Sequence, residues 1–566
     1  MSDNSQRPCD QARYCAPSLH SEPMSDQAGK FPFPSRAELR RVALAAAALI
    51  AFTCLPYLWG WLLRPADFMG HVYNADDPNV HLAWMRQAAE GRWLFTDRFT
   101  SEEQQPQFFH LFYLVLGKVA GLFGDSYRVL ICFYHLARVV GGWLFLMAAY
   151  LLAAYIYPDA RTRWLGFWTV ALSSGLGFWL DVLLGKGDRS CDYGPGLLMP
   201  EAITFLSLYL FPLFAVSILV LVCLYLLVLR AFDTGRVAPA VGAGLFGLVL
   251  GNIHSYDLLP VYAVLAVYVF TLGIARRAWP LREIFLAAIV VAISLPAPAY
   301  QYLVFRSNPI FQQKALTPTL SPSVVNYALT YGLVLVAACV GAWHLRHRPH
   351  RCGDFLITWF IITLAMAYLP VSFQRKMIEG AHIPLALLAA PGWHALTSRV
   401  RLPGAVATAL WIALVIPSNL GLMADSIRRL ENNNAEGVAH LLPAYYLDSD
   451  QRAVLEWLRQ NGRPEDVVLS SPLDGCYMPP YCGVTTYVSH WAETIDVQRK
   501  LANLRGFLAS YTADEWRIRF LREERIRYYY HGPAEAAMGA FDPSGASYLR
   551  LVCQSGPVAL YEVVLP

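Results

Sequence analysis

Apolar runs long enough to cross a bilayer recur along most of this chain, and polar connections separate them. A membrane-spanning helix needs roughly 20 apolar residues. Runs near 42–63, 128–156, 164–184, 201–230, 237–253, 256–274, 283–304, 324–344, 354–370, 382–398 and 403–420 meet that need, and predict about eleven spans. Both ends of the chain break the pattern. Residues 1–35 are polar and read as a disordered tail with no cleavable signal. From about residue 425 the composition becomes that of a soluble domain: helices are predicted over 451–461 and 496–523, and strands over Val467–Ser471, Val484–Ser489, Arg527–His531, 548–553 and 558–564. The expected architecture is mainly α, a polytopic helical bundle over 36–424 followed by a small α/β domain over 425–566.

Orientation follows from the basic residues. Arg36, Arg40 and Arg41; Arg161 and Arg163; Arg230 and Arg236; Arg276, Arg277 and Arg282; Arg346, Arg348 and Arg351; and Arg399 and Arg401 all fall on one side of this layout. The positive-inside rule makes that side cytoplasmic, and so places the carboxyl-terminal domain outside an inner (plasma) membrane. The run 108–124 would invert every later loop if it crossed. It is therefore expected to be a juxtamembrane or partly inserted helix, with Lys118 reaching for the interface. The external segments are then 64–127, 185–200, 305–323 and 371–381, with a short connection at His254–Tyr256.

Composition agrees with a membrane protein: 56% of the 566 residues are hydrophobic and 15% are charged, against roughly 25% charged in soluble domains. A net charge of +4, spread in short clusters, excludes a nucleic-acid surface. The eleven cysteines show no zinc spacing. Cys54, Cys132, Cys223 and Cys339 lie in apolar runs, and Cys476 with Cys482 is the candidate external disulfide.

The chemistry that remains is polar and external. Asp76 and Asp77 precede Pro78 and a predicted amphipathic helix, Asn79 to Gly91, with Val80, Ala83, Trp84 and Ala88 apolar. One acid there would cap the helix, for about 1 kcal/mol. Two acids, with His81 a turn beyond Asp77 on the same face, could instead deprotonate a hydroxyl or hold a divalent ion. In the next external loop Asp188, Asp192 and Glu201 stand out, although Glu201 after Pro200 also suits a helix amino terminus. His254 and Asp257 interrupt apolar sequence, either lining a polar cavity or satisfying each other. Arg375 and Lys376 are adjacent cations on the side the rule disfavours; they suit a phosphate, or lipid headgroups. The segment 305–323, with Pro309, Pro318, Pro322 and Lys314, reads as a long loop, a lid or a linker. In the external domain His490, Trp491 and Glu493 follow a strand, at a ligand position or a helix cap.

One helix, then a long outer loop with an acidic pair, an amphipathic helix and an interfacial helix: this layout resembles the GT-C superfamily of polyprenyl-phosphate-dependent glycosyltransferases. Its span count and external terminus are similar to the protein mannosyltransferase branch. The resemblance implies that Asp77, with Asp76 beside it, is the catalytic base or neighbours a metal. Glu201 is then the second external acid, with Asp192 as runner-up, and 305–323 the loop that closes over donor lipid. The donor would be a sugar on polyprenyl phosphate held by Arg375, Lys376 and Lys314, and the acceptor a glycan, lipid or protein. Asp76, Glu201, His254, Asp257 and His81 would orient the acceptor or hold a divalent cation (Mg or Mn) if one is used; one acid and a phosphate clamp suffice without it. The rival class is a transporter or flippase, which should show repeated halves; no internal repeat is visible.

Overall fold

The computed structural model describes residues 33–184, 199–346, 352–400, 402–433 and 444–565. Each of the predicted apolar runs falls on a helix or a broken helix pair. Arg36–Leu63, Tyr127–Ile156, Pro212–Thr234, Ser255–Arg276 and Val324–Arg346 are long and apolar enough to cross a membrane. With three bent pairs counted as single spans the number is 8. Val237–Ile253, Gly353–Met366 and His382–Thr397 supply shorter apolar helices at the remaining predicted positions. The protein is a multi-pass membrane protein built as a helical bundle.

The bends have local causes. Pro296 and Pro417 open the second helices of two pairs, Leu281–Ser294 with Pro296–Ser307 (41°) and Gly404–Val415 with Pro417–Glu431 (49°). Proline has no N–H to continue a helix but suits a first turn. Helices Val324–Arg346 and His382–Thr397 meet almost backbone to backbone, because a Cβ on Gly392 would lie 1.8 Å from the Ala337 carbonyl oxygen. Small residues let membrane helices approach in this way.

The first loop forms two helices, Asp76–Ala89 and Leu111–Gly121. Eleven residues at about 1.5 Å each reach roughly half of a 30 Å hydrocarbon core, so the second helix is too short to span. It lies along the first, and a Cβ on Gly117 would come within 2.3 Å of the Met85 carbonyl oxygen. One expectation changes here. The helix at 76–89 is buried on nearly all sides instead of one, because the carboxyl-terminal domain covers its polar face: Arg86 donates to the Tyr481 carbonyl at 2.8 Å. Lys118 sits 4.7 Å over the ring of Trp93, which is itself exposed.

The carboxyl-terminal sheet comprises β1 (Val467–Leu469), β2 (Thr485–Thr486), β3 (Ile526–His531), β4 (Leu549–Ser555) and β5 (Val558–Val563), in the order β2-β1-β3-β5-β4. Strands β2, β1 and β3 run parallel, while β5 is antiparallel to both β3 and β4. The predicted strand Val484–Ser489 shrinks to β2 because its far end turns to the first loop: Thr486 N–H donates to the Arg98 carbonyl (2.9 Å), and Val488 bridges Thr100. The helix expected over 496–523 is two, Val497–Leu508 and Asp514–Glu523. The segment 305–323 is not an unpatterned loop either: the helix Pro309–Leu316 follows Pro296–Ser307, with the Asn308 side chain capping it. Cys476 and Cys482 are both buried free thiols, which corrects the expected disulfide; the Cys482 thiol donates to the Leu455 carbonyl at 3.2 Å.

The domain is fastened to the first loop by charge as well as backbone. Arg452 pairs with Asp67 at 2.7 Å, and the buried Lys500 pairs with Glu102 at 2.8 Å. Docked like this, the domain brings its β2–helix connection over the amino terminus of the helix Asp76–Ala89.

Candidate active site

Asn74 adopts a left-handed conformation (φ 44°), which asparagine tolerates better than most residues, and it turns the chain into the helix that begins at Asp76. The N-cap is Ala75, with no side-chain cap, so neither aspartate performs the capping role open to it from sequence. Asp76 is buried, and its Oδ1 accepts the Asp77 N–H at 3.0 Å. The Asp77 side chain is 43% exposed; its Oδ2 accepts from Asn74 Nδ2 at 2.6 Å. Asp77 therefore presents a carboxylate to solvent while Asp76 lies behind it.

His490 of the carboxyl-terminal domain meets both acids. Its Nε2 lies 3.3 Å from Asp77 Oδ1 and 3.6 Å from Asp76 Oδ2. Its Nδ1 accepts the N–H groups of Ala492 and Glu493 at 3.1 and 3.2 Å. With that lone pair engaged, the ring proton belongs on Nε2, directed at Asp77. Burial and the two N–H groups aimed at Nδ1 work against a second ring proton, while the interaction with Asp77 and the charges of Asp76 and Asp77 pull the proton affinity of His490 upward. Burial would raise Asp77 too, yet His490 holds it below the usual carboxylate value. Asp76 is pushed up, to about 6, by burial and then by the Asp77 charge. The two acids thus divide: Asp77 is the ionised member and Asp76 the one that keeps a proton longer. Asp76, Asp77 and His490 are near enough for an ion, but a metal-binding imidazole needs a free lone pair on Nε2, and the hydrogen bonds at Nδ1 place a proton there. The trio so arranged offers an ionised carboxylate held by an imidazole.

Asp77, Glu201, His254, Lys314, Arg375, Lys376 and His490 all line one cavity of about 830 Å³ between the bundle and the carboxyl-terminal domain. A sugar phosphate fits such a volume, which is in the ordinary range of small-molecule sites. The remaining predicted residues take definite places. Arg375 Nη2 is 3.8 Å from Glu201 Oε1, and Lys376 Nζ stands 4.7 Å over the Tyr256 ring. Lys314 is engaged by Asp97 and Glu493; the two acids outweigh its burial and raise its proton affinity. Its charge is thereby matched within the protein, while Arg306, Arg375 and Lys376 also line the cavity. His81 stacks on Tyr113 (4.6 Å between ring centres) and pairs with the Tyr134 hydroxyl at 3.1 Å; burial lowers its pKa to about 4. His254 Nδ1 is 2.9 Å from Asp257 Oδ1 and 3.1 Å from Glu379 Oε2. Asp192 lies outside the described residues.

Three partners were not assigned from sequence. His490 and Glu493 stood out only as a ligand position of the external domain, and their meeting with Asp77 and Lys314 crosses more than 170 residues of chain in each case. Glu379 lies in the predicted external segment 371–381 with Arg375 and Lys376, and no local pattern marks its meeting with His254, 125 residues away.

The helical membrane bundle, with a half-exposed acid in its first long loop and a small α/β domain as its roof, has a GT-C-like fold. The apo oligosaccharyltransferase of Archaeoglobus fulgidus superposes with a TM-score of 0.50 at 13% identity, over 91% of this chain and 73% of that one. The same enzyme tethered to an acceptor peptide gives 0.51 at 14%, over 88% and 69%. ArnT from Cupriavidus metallidurans, bound to undecaprenyl phosphate, gives 0.50 at 14%, over 93% and 98%. Residues 349–565 match a family of unknown function, DUF6541. No curated protein matches the sequence.

Proposed function

We propose that this protein is an inverting glycosyltransferase that moves a sugar from a polyprenyl-phosphate donor to a hydroxyl of a glycan, lipid or protein outside the cytoplasm. The observation that carries the reading is the Asp77 carboxylate: ionised, half-exposed and set in one cavity with Arg375 and Lys376. The solved ArnT structure, which contains undecaprenyl phosphate, supports the donor class. The basic clusters support an amino terminus in the cytoplasm and an active end outside.

In the mechanism Asp77 accepts the acceptor's hydroxyl proton as that oxygen bonds to the anomeric carbon. The bond from the anomeric carbon to the phosphate oxygen breaks on the opposite face, and polyprenyl phosphate leaves with the bonding electrons. Arg375 and Lys376 stabilise the charge that grows on it. His490 holds Asp77 in line and keeps it ionised, and Asp76 fixes the start of its helix. Glu201 and His254 orient the acceptor. No step needs a general acid, because phosphate is already a competent leaving group.

The test is transfer by the purified protein from polyprenyl-phosphate sugars to cell-envelope acceptor fractions. Asp77→Asn should lower the rate by about 10²–10⁴, the usual worth of a positioned base. Absence of transfer by the wild type, together with unchanged surface glycans in cells carrying Asp77→Asn, would sink the enzyme reading; flux of intact lipid-linked sugar across the bilayer would then favour a flippase.

A further inference from the structure

We propose that His254, Asp257 and Glu379 bind one divalent transition-metal ion, with Glu201 beside it as a further carboxylate, at a site separate from the Asp77 base. His254 and Glu201 also line the cavity used in the transfer reading, where the ion would fix the two groups that orient the acceptor, but ion binding itself does not depend on that chemistry.

Three observations converge. One ligand atom from each of His254, Asp257 and Glu379 lies within 4.8 Å of the other two. The spacing suits a shared ion: His254 Nδ1 stands 2.9 and 3.1 Å from the two carboxylate oxygens, and neighbouring ligands about 2.1 Å from an octahedral ion lie about 3.0 Å apart. Their side chains are also 7%, 2% and 0% exposed, yet Asp257 Oδ2, both oxygens of Glu379 and Glu201 Oε2 have no hydrogen-bond partner among the described residues. Polar atoms buried so deeply are ordinarily satisfied.

Charge points the same way. Asp257, Glu379 and Glu201 carry three acidic groups into a low-dielectric wall. Among the described residues, the cation that pairs with this group is Arg375, 3.8 Å from Glu201 and itself 37% exposed. An unpaired buried charge costs several kcal/mol, so the cluster calls for positive charge from outside the chain. One imidazole with carboxylates is a mixed nitrogen and oxygen donor set, which suits Mn²⁺ or Zn²⁺ better than the all-oxygen preference of Mg²⁺. The contrast with the Asp77 cluster lies in Glu379. Each aspartate of that cluster has an oxygen in a hydrogen bond, and Asp257 Oδ1 likewise meets His254, but neither oxygen of Glu379 has a hydrogen-bond partner among the described residues.

The test uses the full chain in lipid nanodiscs, stripped with chelator and titrated with Mn²⁺, with free ion followed by electron paramagnetic resonance. The wild type and Asp77→Asn should each bind one Mn²⁺ saturably. Asp257→Asn and Glu379→Gln should weaken that binding at least tenfold, and ¹⁵N-histidine labelling should alter a nitrogen coupling that His254→Ala abolishes. Mn²⁺ should raise the melting temperature of the wild type but not of Glu379→Gln, which without ion should melt no lower than the wild type. The site is refuted if the wild type takes up no ion saturably, if all three ligand variants bind as it does, or if Asp77→Asn removes binding. Mn²⁺ bound at this site by a protein that transfers no sugar would support the site and count against the transferase reading.

Discussion

His490→Gln is the perturbation that separates a positioned base from a merely solvated acid. The glutamine keeps approximate size and a donor but removes the imidazole that faces Asp77 Oδ1 at 3.3 Å. A hydrogen bond to a charged group contributes about 1.5–3 kcal/mol. Because Asp77 is 43% exposed, cavity water screens much of that; about 1 kcal/mol should survive, equivalent to somewhat less than one pH unit in the titration of Asp77. The sign follows from the direction of the perturbation. In the wild type Asp77 titrates below the ordinary carboxylate value, so the base stays active as pH falls and is lost only when pH passes below that lowered value. The same depressed value gives folding stability that is present above the unfolded-state value and lost as pH falls through the folded one. Without His490 both effects weaken, and the acid limb of kcat/KM against pH should move upward by about 0.5–1 unit. A limb that stays in place, or moves to lower pH, would refute the role of His490 as the group that keeps Asp77 ionised.

Two further substitutions probe the frame around the site. Gly117→Ala places a methyl 2.3 Å from the Met85 carbonyl oxygen, so helix Leu111–Gly121 must move off the helix that carries Asp77; a loss of about 1–3 kcal/mol is expected, read as a lower melting temperature. Unchanged melting would mean the two helices are not so closely seated. Lys314→Ala strips the counter-charge from Asp97, which burial already pushes up, to about 6, and from Glu493. Breaking a buried pair costs about 3–5 kcal/mol, so the helix Pro309–Leu316 should become a site of limited proteolysis, while Lys314→Arg should protect it.

The sequence by itself determined the bundle and marked the acidic pair from which the proposed base comes. Apolar runs and basic clusters have few solutions in lipid, since each backbone polar group must be paired inside its own helix. The 108–124 helix was legible for a related reason: excluding it kept the charges consistent, and its eleven helical residues cannot span. Asp77 and Asp76 were legible because two acids before a helix exceed what a cap requires, although sequence could not say which one is exposed. Only the tertiary structure decided the partnerships. Docking of the carboxyl-terminal domain sets His490 against Asp77 and, with the helix Pro309–Leu316, closes Lys314 between Asp97 and Glu493; packing of the bundle sets Glu379 against His254. It also kept Cys476 and Cys482 as thiols within separate buried contacts. Periodicity reports which face of a segment is apolar, but these pairings join residues 125 to 413 positions apart. What brings them together is the packing of whole elements, a long-range property that leaves no local pattern in the chain.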